Sequence, residues 1–240
     1  MWHVNKSNST DMILQFESFL KISIIKNLEQ KKWNVSKEIL KREMSIQGTA
    51  APRISDSRIG TLKSDIYQMG FIKYDNEYFK ITDAGHEFLR NNKSALFFQF
   101  VKMQFSNPTI LDYCKDIYVF PVVGIIKLLF NGKINYLTKE ELGYIVFLNY
   151  LYEDSFDEVK EKILEFRNLT NEKRNSLIDS FKNTPEGHIT LKKASTATYL
   201  MSRLSATNYF IIEKENNIKS LNLNYSFIDD IRKVLDFYNG

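Results

Sequence analysis

A chain of 240 residues that is 43% hydrophobic and 26% charged is long enough for two modest domains with their own cores, so neither disulfides nor a structural metal is needed for folding. Its single cysteine, Cys114, excludes an internal disulfide framework and a cysteine-rich zinc site and suits a reducing cytoplasm. Its 33 basic against 29 acidic residues leave a net charge of +4, a mild pointer to a nucleic-acid partner.

With 18 Phe and 13 Tyr against only 9 Gly and 4 Pro, the sequence predicts mostly helix. Neither a signal peptide nor a run of roughly 18 apolar residues is present, so no membrane partner is expected. From Asp11 to Leu28, Ile13, Leu14, Phe16, Phe19, Leu20, Ile24, Ile25 and Leu28 keep a helical period, with Asp11 as cap. Ser36 reads as the N-cap of a short second helix through Ile39, Leu40 and Met44. The loop IQGTAAPRISD, which holds Gly48, Pro52 and Arg53, then reads either as a DNA-contacting element or as an ordinary solvated loop.

The segment Ser57 to Leu89 is the most informative. Ile59, Leu62, Ile66 and Met69 recur at helical spacing, while Arg58, Thr61, Lys63, Ser64 and Gln68 occupy the other face. Gly70 stands where a helix would end in a left-handed residue. Phe71 to Tyr74 and Tyr78 to Ile81 predict a hairpin around Asp75-Asn76-Glu77, and Thr82 or Asp83 caps a further helix in ITDAGHEFL. Helix, hairpin, helix is the second half of a winged helix-turn-helix, whose helix before the hairpin usually enters the major groove of DNA.

A polar break at residues 90–94 precedes an apolar helix from Ala95 to Phe105, and a domain boundary is expected at 106/107. Val119 to Phe130, with Pro121 near its front, predicts a buried helix. Thr138 and Glu141 form a capping-box pattern before a helix through Leu148. Asp154 to Lys182 predicts a long amphipathic helix broken near Leu169 to Asn171. Ala197, Leu200, Met201 and Leu204 mark another helix, strands at 209–214 and 218–223 flank Glu215-Asn216-Asn217, and a helix from Phe227 to Phe237 closes the chain. The order helix, hairpin, helix thus occurs twice. The expected fold is mainly α with short β-hairpins (α+β), as tandem winged helix-turn-helix domains over residues 1–106 and 107–240.

The order SDSRIGTLKSDIYQMGFIKYDNEYFKITDAGHEFL followed by FFQFVKMQFSNP resembles the N-terminal recognition region of type IIS restriction and nicking endonucleases of the AlwI, MlyI and PleI kind. Trp2, the Ile163-Leu164-Glu165-Phe166-Arg167-Asn168 segment, and the Thr198 to Arg203 helix with its hairpin ending Leu221-Asn222-Leu223-Asn224 add to the likeness, which spans nearly the whole chain. The resemblance implies two winged-helix-like subdomains gripping duplex DNA, and a separate Mg²⁺-dependent PD-(D/E)XK nuclease domain or subunit. No proline here precedes an aspartate. Pro185-Glu186 is the nearest imitation, and the E-x-K triplets at Glu29 to Lys31 and Glu158 to Lys160 precede it in helical contexts, so no catalytic centre and no cofactor are expected within these residues.

His3, His86 and His188 are too scattered for a metal site, Cys114 has no nearby histidine, and the aromatic run Tyr144 to Tyr152 reads as core. The expected function is sequence-specific double-stranded DNA binding. In the first domain Lys37, Arg53, Ser57, Arg58, Thr61 and Ser64 are candidate contacts, with Arg58 placed for guanine, while Lys63, Lys73 and Lys80 are placed for phosphates. In the second, Lys192, Lys193, Thr196, Tyr199 and Arg203 are the counterparts. The alternatives are a stand-alone winged-helix transcription or replication regulator and a protein-binding scaffold.

Overall fold

The structure is a computed structural model that describes residues 9–46, 54–102, 120–130, 134–149, 155–182 and 197–239. It divides into two compact units, Ser7–Phe100 and a second that runs from Val101 to Gly240. The boundary expected at 106/107 lies outside the described residues, as does Cys114. Each unit combines helices with a small antiparallel sheet, an α+β arrangement dominated by helix.

The first unit contains α1 (Ser9–Ile25), α2 (Trp33–Ile46), α3 (Asp56–Gln68), β1 (Ile72–Asp75), β2 (Tyr78–Ile81), α4 (Asp83–Arg90) and all but the last two residues of α5 (Asn92–Lys102). The apolar positions repeated at helical spacing form its core: Phe16, Phe19 and Leu20 from α1, Leu40 and Met44 from α2, and Ile59, Leu62 and Ile66 from α3 are all buried. Burial of each such side chain stabilises the fold by about 1.5–3 kcal/mol. At its centre the Phe71 and Phe88 rings lie 4.7 Å apart, with Phe16 edge-on to Phe71 at 6.2 Å.

Two helix ends differ from expectation. Helix α1 stops at Ile25 because Asn27 adopts a left-handed conformation, φ +49°, and Leu28 starts a separate 3-10 turn. Helix α2 begins at Trp33, since Ser36 N already donates to Lys32 O at 3.1 Å. Ser36 therefore lies inside the helix, buried, and its hydroxyl donates to Leu28 O at 3.2 Å instead of capping.

The junction between α3 and α4 explains why this stretch was readable. Gly70, φ +70°, ends α3 in a Schellman arrangement, with Gly70 N donating to Tyr67 O at 2.8 Å and Phe71 N to Ile66 O at 3.1 Å. Thr82 caps α4 by accepting from Gly85 N at 3.1 Å, and its hydroxyl also donates to Gly70 O at 2.6 Å. A Cβ on Gly85 would lie 2.3 Å from Phe71 O, so only glycine lets α4 press against the chain leaving α3.

The second unit contains α6 (Pro121–Phe130), β3 (Leu137–Thr138), a helical segment whose middle is π-helical over Glu141–Val146 and which ends as α7 (Phe147–Asn149), α8 (Phe156–Asn168), α9 (Asn171–Lys182), α10 (197–205), β4 (Phe210–Glu215), β5 (Ile218–Leu223) and α11 (Ile228–Asn239). Its sheet has the order β3-β5-β4, all antiparallel. Asn216 and Asn217, at φ +47° and +65°, make a two-residue turn of the mirror-image kind that suits hairpin twist. The capping box forms: Glu141 N donates to Thr138 Oγ1 at 3.2 Å, and Thr138 N to Glu141 Oε2 at 2.8 Å. Glu141 is buried and also accepts from Arg167 Nε at 2.7 Å, while that guanidinium lies 4.2 Å from the Tyr136 ring centroid. Here a buried charge is paired and fully hydrogen-bonded, the condition under which it is tolerated. Among the described residues no helix is long and apolar enough to cross a membrane.

Candidate nucleic-acid interface

Ser55 caps α3 by accepting from Arg58 N at 3.2 Å, which starts the helix one residue before Ser57. Ile59, Leu62, Ile66 and Met69 face the core, and what remains outward is a stripe of uncharged polar side chains. Ser57, Thr61, Ser64 and Gln68 follow at steps of four, three and four, which places them within about 60° of arc at 100° per residue. Gly60 flanks the stripe with open space above it, and Tyr67, 49% exposed, flanks it further along. Ser57 Oγ lies 2.9 Å from Ser55 Oγ, and Thr61 Oγ1 donates to Ser57 O at 3.0 Å. No hydrogen-bond partner for Ser64 or Gln68 is found among the described residues.

The cations expected on this helix are engaged elsewhere. Arg58 donates through a terminal nitrogen to Oε1 of Gln15, a buried residue of α1, at 2.7 Å. Its guanidinium is therefore turned to the neighbouring helix and not out toward a base. Lys63 lies between two rings, its Nζ 4.1 Å from the Trp33 centroid and 4.3 Å from the Tyr74 centroid. Burial holds the Lys63 pKa below its usual value, and burial with the nearby Tyr67 pushes the Tyr74 phenol up. The Lys63 ammonium thus ties α3 to the hairpin instead of projecting toward a phosphate. Lys37 is likewise paired: with Lys41 it holds Asp56, at the first turn of α3, at 2.5 and 2.6 Å respectively.

The hairpin does project charge. Alternation along the strands puts Ile72, Phe79 and Ile81 inward, and Lys73 and Lys80 directly opposite one another on the outer face. Both lysines are exposed, and neither forms an ion pair among the described residues. The hairpin is fixed at both ends: at its turn Trp33 N donates to Glu77 O at 2.8 Å, and at its base Ile81 N donates to Glu29 Oε1 at 2.7 Å.

In the second unit Tyr199 is half-buried on α10, whereas Arg203 is 4% exposed. Arg203 lies on the inward side of α10 with Leu200 and Leu204, so it is an interior cation and not a surface contact. Lys192, Lys193 and Thr196, and in the first unit Arg53, lie outside the described residues. The sequence reading passed over Lys214 and Lys219, which are exposed, face each other across the β4–β5 hairpin, and form no ion pair among the described residues. Glu213 and Glu215 fall on the opposite face, where they line a groove of about 680 Å³ with Arg167 and Arg174. That groove is of mixed charge; the other face of the hairpin tip is positive.

Three residues of the two E-x-K triplets make structural contacts. Glu29 holds the β2 amide, Lys160 pairs with Asp157 at 3.6 Å, and Glu158 pairs with Lys162 at 2.6 Å. Pro185-Glu186 lies outside the described residues. Among the described residues no group of three or more His, Cys, Asp or Glu side chains is placed to hold a metal ion.

Seven chains of solved structures match this one. One is the BpuJ1 endonuclease binding domain, solved in complex with pyrene- and phenanthrene-modified DNA; it is 17% identical with a TM-score of 0.63, over 98% of this chain and 83% of that one. The likeness is one of fold. No curated protein matches. The family model described as AlwI restriction endonuclease matches residues 67–236, from the last turn of α3 into α11 and well over half of the sequence. The chain belongs to the AlwI restriction endonuclease family.

Proposed function

We propose that this chain is the sequence-specific, duplex-DNA recognition portion of a cytoplasmic type IIS restriction or nicking endonuclease, built from two winged helix-turn-helix units. The observation that carries the reading is the pairing of an outward polar stripe on α3, of which Ser64 and Gln68 have no hydrogen-bond partner among the described residues, with two opposed lysines on the following hairpin that form no ion pair among them. A helix in the major groove reads base edges, and an adjacent hairpin with spare cations holds phosphates and fixes register. The order β3-β5-β4, with α10 immediately before its β4–β5 hairpin, supports the same architecture in the second unit. There the charge-polarised hairpin makes Lys214 and Lys219 the phosphate-facing pair, with Tyr199 on the preceding helix. The DNA held by the BpuJ1 binding domain is consistent with this use of the fold.

Cutting belongs, in this reading, to a separate Mg²⁺-dependent nuclease domain or subunit. The structural commitments of Glu29, Glu158 and Lys160 support that division of labour.

Fluorescence anisotropy against labelled duplexes over a salt series tests the proposal. The logarithm of affinity is expected to fall linearly with the logarithm of salt concentration, because each phosphate contact releases condensed counterions. Absence of duplex binding at low salt would overturn it.

A further inference from the structure

On the reading that α3 occupies the major groove, we infer that Gln68 is a specificity-determining residue that selects an adenine, with Ser64 contacting the adjoining base pair. Of the four side chains on the outward stripe, Ser57 and Thr61 spend their hydroxyls on Ser55 and on the helix backbone. Ser64 and Gln68, one helical turn apart, have none of their hydrogen-bonding capacity taken up by the described residues. The two cations on the flanks do not compete: Arg58 is held by Gln15, and Lys63 lies between Trp33 and Tyr74.

The chemistry of the free carboxamide selects the base. It presents one acceptor and two donors side by side, and in the major groove adenine alone sets an N6 donor next to an N7 acceptor. Guanine shows two acceptors there, O6 and N7, and is best met by a guanidinium, which this stripe lacks. The serine hydroxyl donates or accepts equally well, so Ser64 adds contact without strong discrimination.

Selection from a randomised duplex library with the full chain tests this. The wild-type motif is expected to contain an A·T pair at which Gln68→Ala loses about tenfold or more of its discrimination while the other positions keep theirs. Gln68→Arg is expected to move the preference at that same pair to G·C, a change that a merely structural role would not produce. Motifs unchanged in both variants would overturn the assignment and leave DNA recognition by the chain standing. Failure of the wild type to enrich any sequence would overturn the recognition reading and this inference with it.

Discussion

Lys73 and Lys80 sit directly across the β1–β2 ladder from one another, both exposed, with no carboxylate paired to either among the described residues. Like charges in that register repel and weaken a hairpin, a cost removed when a polyanion lies against it. On the proposed reading, the hairpin gives up some stability of its own to hold a phosphate backbone. Lys73→Gln and Lys80→Gln are each expected to reduce the salt slope of duplex binding by about one unit without altering base preference. Each is also expected to raise stability slightly, by about 0.3 kcal/mol. Anisotropy and urea titration measure the two effects, and a wild-type salt slope in both variants would remove the hairpin from the interface.

Lys63 is expected to behave differently from its neighbours on the hairpin. Lys63→Met keeps the stem and removes the charge between Trp33 and Tyr74, for an expected loss of about 0.5–1 kcal/mol of stability. Its salt slope should stay at the wild-type value. A slope reduced by about one unit would mean that the ammonium leaves the rings to bind phosphate.

The clamp at the start of α3 carries a pH signature. Hydrogen bonds from Lys37 and then Lys41 hold the Asp56 carboxyl at about 2, below its ordinary 3.8. Because the folded-state pKa is the lower one, the stabilisation is present above the unfolded-state pKa and is lost as pH falls through the folded one. The stability difference between the wild type and Asp56→Asn should therefore be flat above about pH 5 and close between about pH 4 and pH 2. Urea midpoints across that range measure it; a difference unchanged down to pH 2 would show that the two lysines do not hold Asp56 in solution. The carboxyl is exposed, so added salt should shrink the effect.

At Gly85, α4 packs directly against the carbonyl of Phe71 in the chain leaving α3. A Cβ 2.3 Å from Phe71 O forces a shift, and Gly85→Ala is expected to destabilise the first unit by about 1–3 kcal/mol. Hydrogen exchange should show the loss over α3, the hairpin and α4. Wild-type protection there would mean that α4 moves aside freely.

The α3–hairpin–α4 stretch and the Thr138–Glu141 box were legible because each is written in local chemistry. A glycine at φ +70°, a capping threonine and a repeat of apolar positions need no distant partner to be understood. What helical spacing alone does not reveal is the fate of a flanking side chain. Arg58 meets Gln15, 43 positions away, and Lys63 meets Trp33 from another helix, so two residues on the non-core side of α3 proved to be internal anchors. Arg203 is the same failure in the second unit. The opposed lysines were hidden for a different reason. The sequence predicts three-residue connections, Asp75 to Glu77 and Glu215 to Asn217, whereas the turns have two residues and Asp75 and Glu215 are already paired strand residues. An error of one residue at a turn shifts the pairing across the hairpin and conceals which side chains face each other.

The most direct test of the account is the affinity of the isolated chain for its own selected site against random duplex, measured at fixed salt. A sequence-specific recognition module is expected to enrich one asymmetric motif and to bind it about a thousandfold or more tighter than random DNA. Equal affinity for selected and random duplexes would contradict the account.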